Sequence, residues 1–300
     1  MATQRPTVLD EIYENCSTAE SSVRFLQNRG VLKDQMVCSN CSNNMTMVPC
    51  SRSKSADLFI WACKPCRKFT NIRTGSILSN KNLTFKSFLL LIFFFSCKDM
   101  SNILISQIVG ISENTVADWR QMVFARVSSF LLANPTPLGG PGVVVELDEA
   151  KFGKRKYHKG NYREGMWVLG AIDRQTKNCF LIPCPGNKRD AATLLPIIRR
   201  WVLPGSIVHT DEWSTYNGLT AACYTHQTVN HSIQFVEPLS GTHTNTQEGL
   251  WYHVKRTIVG SRSLEMSLID FMFRRKFHAT GGNVQLVNCF NGYMSVLKIE

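Results

Sequence analysis

The chain has 300 residues, 44% apolar and 19% charged, with a net charge of +12 and a pI near 9.3. That length gives room for one large domain and one or two small ones, and the composition is that of a globular protein. Such a basic balance points to a polyanionic partner, most often nucleic acid.

The basic excess is spread along the chain. Residues 1–142 carry 15 Lys and Arg against 9 Asp and Glu, and residues 143–300 carry 19 against 13, so each half holds +6. Met1 to Cys16 lacks a basic stretch followed by an apolar one, so no secretory signal is expected. The longest apolar run, Phe88 to Phe95, has eight residues, whereas a bilayer span needs roughly 20, so no membrane partner is expected. Eleven cysteines without a secretory signal imply reduced thiols or metal ligands. The expected compartment is the nucleus for a eukaryotic source and the cytoplasm for a bacterial one.

In chain order, residues 1–35 read as an N-terminal helical segment. Its helix lies within 17–32, opened by the capping box Ser17-x-x-Glu20, carried by Val23, Phe25 and Leu26, and stopped by Gly30. Residues 36–70 hold Cys38-x-x-Cys41 and Cys63-x-x-Cys66, separated by 21 residues. Two such knuckles supply four thiolates to one structural zinc ion, which stabilises a segment with little core of its own. Cys50 has no partner at knuckle spacing. Lys64, Arg67 and Lys68 beside the second knuckle suit phosphate contact.

Residues 80–133 are helical in pattern, with Phe88 to Phe95 as a core helix. Ser101 to Arg126 has helix-turn-helix spacing: Ile103, Ile105 and Ile108 face inward, Gly110 turns the chain and Ser112 caps the second helix. Residues early in such a helix reach base edges; here these are Glu113, Asn114 and Thr115, with Arg120 further along. An ordinary helical hairpin would have the same spacing. Asn134 to Gly142, rich in Pro and Gly, reads as a linker and the main domain boundary.

Beyond it, residues 143–285 read as one α/β domain. Val143 to Leu147, Met166 to Ile172 and Asn178 to Pro183 are expected strands, followed by a helix over Ala191 to Val202 with Asp190 as N-cap. Ser206 to His209 is a fourth strand, His226 to Val236 holds a fifth, and Thr246 to Ile258 is a helix. Adjacent antiparallel strands followed by alternating α and β elements fit a ribonuclease H-type α/β sandwich.

Asp148 follows one expected strand and Asp211 another, and 36 residues separate Asp211 from Glu248. On the helix, Asn245, Glu248, Tyr252 and Lys255 share a face. Three acids from two strands and a helix can converge on a pair of divalent ions, which suits phosphodiester chemistry. Mg²⁺ or Mn²⁺ fits an all-oxygen site. Glu146, Glu149 and Glu212 compete; strand alternation puts Glu146 on the face of Asp148 and Glu149 and Glu212 on the other. Lys151 to Arg163 holds six Lys or Arg and no acid, and Lys154, Arg155, Lys156 and Lys159 are its candidate phosphate grips, with Arg274, Arg275 and Lys276 as further ones. The histidines lack a His-Glu-x-x-His pair, so a zinc hydrolase is not expected.

Three segments carry a resemblance: Val145-Glu-Leu-Asp-Glu149, His209-Thr-Asp-Glu-Trp213 and the block from Gly241 to Arg256, GTHTNTQEGLWYHVKR. These resemble Merlin-type transposases and the related bacterial insertion-sequence transposases. The likeness covers roughly residues 15–280, including Val229-Asn-His231, Ala191 to Leu195 and Phe271 to Lys276. It implies a ribonuclease H-like core and metal-dependent cleavage and strand transfer at the inverted repeats of transposon ends. It implies Asp148, Asp211 and Glu248 as metal-binding carboxylates, with Asn245 as the alternative third group and Lys255 as an accompanying cation. Gln247 departs from the pattern, standing where an aliphatic residue is expected. Partners implied are double-stranded DNA and a second copy of the chain. A domesticated DNA-binding regulator that no longer cuts, or a structure-specific nuclease on the same core, are the rival readings.

Overall fold

In chain order the elements are α1 (Val8–Asn15), α2 (Ala19–Asn28), β1 (Thr46–Pro49), β2 (Phe59–Cys63), β3 (Lys68–Asn71), α3 (Phe85–Ser96), α4 (Asn102–Val109) and α5 (Glu113–Ala133). Then come β4 (Leu138–Gly139), β5 (Val144–Phe152), β6 (Met166–Asp173), β7 (Cys179–Pro183), α6 (Ala191–Trp201), β8 (Val202–Leu203), β9 (Ile207–Asp211) and β10 (Thr225–Val229). Helices α7 (Asn245–Thr257), α8 (Leu264–Lys276) and α9 (Gly282–Val296) follow. This computed structural model describes residues 7–50, 57–97, 100–153, 165–229, 242–258, 263–277 and 282–299. The chain divides into two compact units, Met1–Val127 with Phe277–Glu300, and Ser128–Lys276. The Pro/Gly segment expected to separate domains therefore lies inside the second unit, and α9 joins the first.

In the first unit, α3 is apolar from Phe88 to Phe95, and all of that run but Phe94 is buried. Phe88 packs on Trp119 of α5, with ring centroids 5.4 Å apart. The helix in the 17–32 segment starts one residue later than its sequence signal. Thr18, not Ser17, is the N-cap, and Ser21 returns the bond to close the box. Strands β1, β2 and β3 form an antiparallel sheet among the described residues. Beside it Arg73 is buried with Asp57 and also donates to the carbonyls of Lys81 and Leu83. That network leaves no charge of the pair uncompensated.

In the second unit the described strands form a mixed sheet in the order β10-β9-β5-β6-β7. β5, β6 and β7 are antiparallel neighbours, while β9 and β10 run parallel to β5. This is the strand arrangement anticipated above. The expected strand ending at Leu147 runs on to Phe152, because Ala150 and Phe152 are buried and keep register with Val168 and Met166. Asp148 is thus mid-strand on the central strand. The Pro/Gly segment is not free of strand. Leu138 and Gly139 pair in parallel with β8, and Asp173 Oδ2 and Ser206 Oγ accept from the N–H groups of Gly139 and Gly140 at 3.0 and 2.8 Å. The fifth strand occupies 225–229; residues 230–236, where it was expected to continue, lie outside the described residues.

Candidate active site

Asp148 is partly buried on β5, Asp211 ends the neighbouring parallel strand β9, and Glu248 lies in the first turn of α7. The structure brings the three together: burial pushes the Asp148 carboxyl up to about 6, with the negative charges of Asp211 and Glu248 adding to the rise. Asp148 Oδ1 accepts from the N–H of Glu149 at 2.8 Å, and Oδ2 accepts from Trp251 Nε1 of α7 at 3.0 Å. Asp211 Oδ1 accepts from the N–H of Trp213 at 3.2 Å. Asn245, Glu248, Tyr252 and Lys255 share the exposed face of α7, as their spacing requires. The three carboxylates all offer oxygen donors, the type that a hard divalent cation takes.

Two features hold α7 against the sheet. Gly170 of β6 stands directly opposite Asp148 in register. A Cβ there would meet Gln247 Nε2 at 2.3 Å and the Trp251 ring at 2.5 Å, so only glycine lets the helix approach so closely. Glu146, fully buried, supplies the second feature. Its Oε2 accepts from the N–H of Gln247 at 2.8 Å, capping a helix whose own N-cap residue, Thr244, makes no side-chain cap bond. Its Oε1 accepts from Arg174 Nε at 2.5 Å, and Arg174 Nη2 donates to the carbonyl of His243 at 2.9 Å. Glu146 thus holds the helix that carries Glu248. The sequence places it on the face of Asp148 but gives no sign of Arg174 as its partner. Gln247 is fully buried with neither side-chain polar atom hydrogen-bonded, consistent with its departure from the aliphatic pattern.

On the other face of β5, Glu149 accepts a hydrogen bond from Tyr216. Burial pushes its carboxyl up to about 7, and the charges of Asp148 and Asp211 add to this. Arg189, just before the N-cap of α6, lies over the rings of both Trp167 and Trp213. No sequence signal marked this stack, since its members come from three separate segments.

In the first unit Cys38, Cys41, Cys63 and Cys66 converge, their sulfurs all within 4.8 Å of one another. Backbone N–H groups of Asn40 and Cys41 draw the Cys38 thiol down to about 6, while a hydrogen bond with Cys41, helped by burial, pushes Cys66 up to about 12. Four sulfurs so placed, one of them readily ionised, fit a tetrahedral zinc ion. Lys64 and Arg67 are exposed beside them, but Lys68 Nζ is spent on Ser39 Oγ and Asn40 Oδ1 at 2.7 and 3.1 Å.

Helices α4 and α5 are joined through Gly110, which adopts φ 74° as the turn requires, and Ser112 Oγ accepts from the Thr115 N–H at 3.1 Å. Only Ile105 of the three isoleucines faces inward; Ile103 and Ile108 are 55% and 51% exposed. Eight residues of helix bury a narrow stripe, and positions 103 and 108 fall outside it. Glu113 and Asn114 are exposed at the start of α5 and Thr115 is half-buried. Arg120 is not presented to a ligand. It is 5% exposed, donates to Asn102 Oδ1 and the Met100 carbonyl, and covers the Phe95 ring at 4.5 Å.

Arg274, Arg275 and Lys276, expected to grip phosphate, are engaged within their own unit by Asp270, the Lys177 carbonyl, and the Asn134 carbonyl with Thr136. Lys154, Arg155, Lys156, Lys159 and His231 lie outside the described residues. Among the described residues no helix is long and apolar enough to cross a membrane.

The second unit is thus a mixed α/β unit with Asp148 on β5, Asp211 on β9 and Glu248 on α7. Residues 135–262 match the ISXO2-like transposase domain family. A transposase-like protein of Haemophilus influenzae is 42% identical over 66 residues, 22% of this chain and 52% of the relative. The chain therefore spans about half the length of the curated relative it matches. Among solved structures, the HTLV-2 integrase catalytic core domain in complex with magnesium aligns with 11% identity over 44% of this chain and 84% of that one, at a TM-score of 0.29. The Mos1 strand transfer complex aligns with 13% identity over 64% of this chain and 76% of that one, at a TM-score of 0.23.

Proposed function

We propose that this chain is a DDE-type DNA transposase of the Merlin and insertion-sequence kind, cutting and joining DNA at transposon terminal inverted repeats. The observation that carries the reading is the meeting of Asp148, Asp211 and Glu248, three acids from distant segments, beside an open helix face. Asp148 and Asp211 would hold Mg²⁺ or Mn²⁺, and Glu248 would complete the set, with Asn245 one turn earlier as the alternative. Such ions polarise the phosphoryl oxygens and stabilise both attacking and leaving oxygens. Trp251 and the Glu149 N–H fix the Asp148 carboxylate, and Glu146 fixes the start of α7. Lys255 faces the DNA from the same helix face. A water hydrolyses one phosphodiester, and the 3′ hydroxyl so freed attacks target DNA; no protein nucleophile is required.

The four thiolates would hold a structural zinc. Glu113, Asn114 and Thr115 would read the end sequence, and Lys154, Arg155, Lys156 and Lys159 would grip the phosphate backbone. Pairing of two ends calls for at least a dimer, acting in the nucleus or, in a bacterium, the cytoplasm.

The test is nicking of a labelled duplex bearing the inverted repeat that flanks the coding sequence, with Mg²⁺ or Mn²⁺. Wild type should nick, and Asp148→Asn and Glu248→Gln should each lose about a thousandfold or more. Loss in Asp148→Asn alone would move the third role to Asn245. Tight, specific binding without nicking by wild type in either metal would sink the enzyme and leave a DNA-binding regulator.

A further inference from the structure

Arg189 is exposed, yet it is held. Its guanidinium carbon lies 4.0 Å from the ring centroid of Trp167 and 4.5 Å from that of Trp213. The side chain makes no hydrogen bond or ion pair with any described residue, so the guanidinium N–H edge is unspent. Its neighbours tie it to the carboxylates. The N–H of Trp213 is bonded to Asp211 Oδ1 at 3.2 Å, and Trp167 pairs in register with Lys151, three residues beyond Asp148. Lys151 Nζ itself lies 5.5 Å from the Trp167 ring centroid. The acid that acts on Arg189 is Glu149, which is engaged with Tyr216.

Stacking uses the faces of a guanidinium and leaves its in-plane donors free, and those donors match a phosphate bidentately. Fixing the cation in advance removes part of the ordering cost of binding. One face of each indole is taken by the arginine, and the free donors at the guanidinium edge suit a backbone phosphate.

We propose that Arg189, held between Trp167 and Trp213, is a clamp for a backbone phosphate of the DNA strand that enters the carboxylate site. This rests on the transposase reading, and its test does not depend on cutting. Binding of the full chain to a fluorescent duplex of mixed sequence is followed by anisotropy in Ca²⁺ from about 50 to 200 mM salt. Arg189→Gln should bind about tenfold more weakly and lower the slope of log K against log salt by about 0.9. Arg189→Lys should keep the slope while losing part of the affinity, because it retains the charge and not the fork.

Wild-type affinity and slope in Arg189→Gln would overturn the clamp. So would a loss of affinity with unchanged slope and a lowered Tm, which is the signature of a packing role. Asp148→Asn, tested alongside, reports on the cleavage reading alone. If no protein nicks end duplexes but Arg189→Gln still lowers the slope, the clamp stands without the enzyme.

Discussion

The two clusters of potential metal ligands oppose each other thermodynamically. The four cysteines come from two tight knuckles on a three-stranded sheet, and without an ion their segment has few large buried side chains to hold it. A cation held there would be part of the fold. Asp148 and Asp211 sit on a sheet whose own core is complete, Glu248 lies on α7, and the charges of Asp211 and Glu248 act on Asp148. There the fold supplies the energy that holds like charges near one another, and a cation bound there would relieve it. On the proposed function, one region would need its ion to fold and the other would need it to act.

The largest effect should follow from chelation. Removing zinc should melt β1 to β3 while the 128–276 unit stays folded, since structural zinc contributes on the order of 10 kcal/mol in small domains. Hydrogen exchange resolved by segment, with metal content measured in parallel, checks this; protection retained around Cys38 and Cys63 without metal would break the contrast. Next comes Gly170→Ala. Its Cβ would meet Gln247 Nε2 at 2.3 Å and displace α7, so the variant should lose about 1–3 kcal/mol of stability. Nicking should fall further than the loss of folded protein explains. Denaturant unfolding beside nicking rates separates the two, and an unchanged variant would show that α7 does not depend on close approach.

The smallest effect is on pH. The folded carboxyls of Asp148 and Glu149 bind protons more tightly than unfolded ones, at about 6 and about 7. Their fold therefore carries no penalty at low pH and the full one once both ionise. Metal-free stability should fall as pH rises from about 4 to 7, and Asp148→Asn should flatten that fall. Saturating Mg²⁺ should raise the Tm by a few degrees more near pH 7.5 than near pH 5, because it binds the ionised groups. Equal shifts at both would place the ion elsewhere.

Much of this was legible in the chain. Knuckle spacing is local, so the cysteine cluster could be read directly, and five residues dominated by apolar ones marked a strand before Asp148, whose central place only the sheet order gives. The shared face of Asn245, Glu248, Tyr252 and Lys255 followed from helical period alone. What sequence could not carry was pairing at a distance. Arg120 looks like a reader until Asn102, Met100 and Phe95 are seen to enclose it. Arg174 meets Glu146, and Arg189 meets two tryptophans, through the register of strands far apart in the chain. Ile103 and Ile108 were misassigned because an eight-residue helix has too few turns for its period to define a face.

The first unit is interrupted by the second, and this bears on its biosynthesis. Phe290 and Tyr293 of α9 are fully buried in the unit that begins with α1, where Tyr293 packs edge-on to Phe124 and α9 lies against the phenylalanine-rich α3. A ribosome delivers α3 long before α9. The second unit can therefore complete its sheet while the earlier unit still lacks a wall of its core. During that interval α3 would display some of the most apolar surface in the chain, a natural ligand for a chaperone.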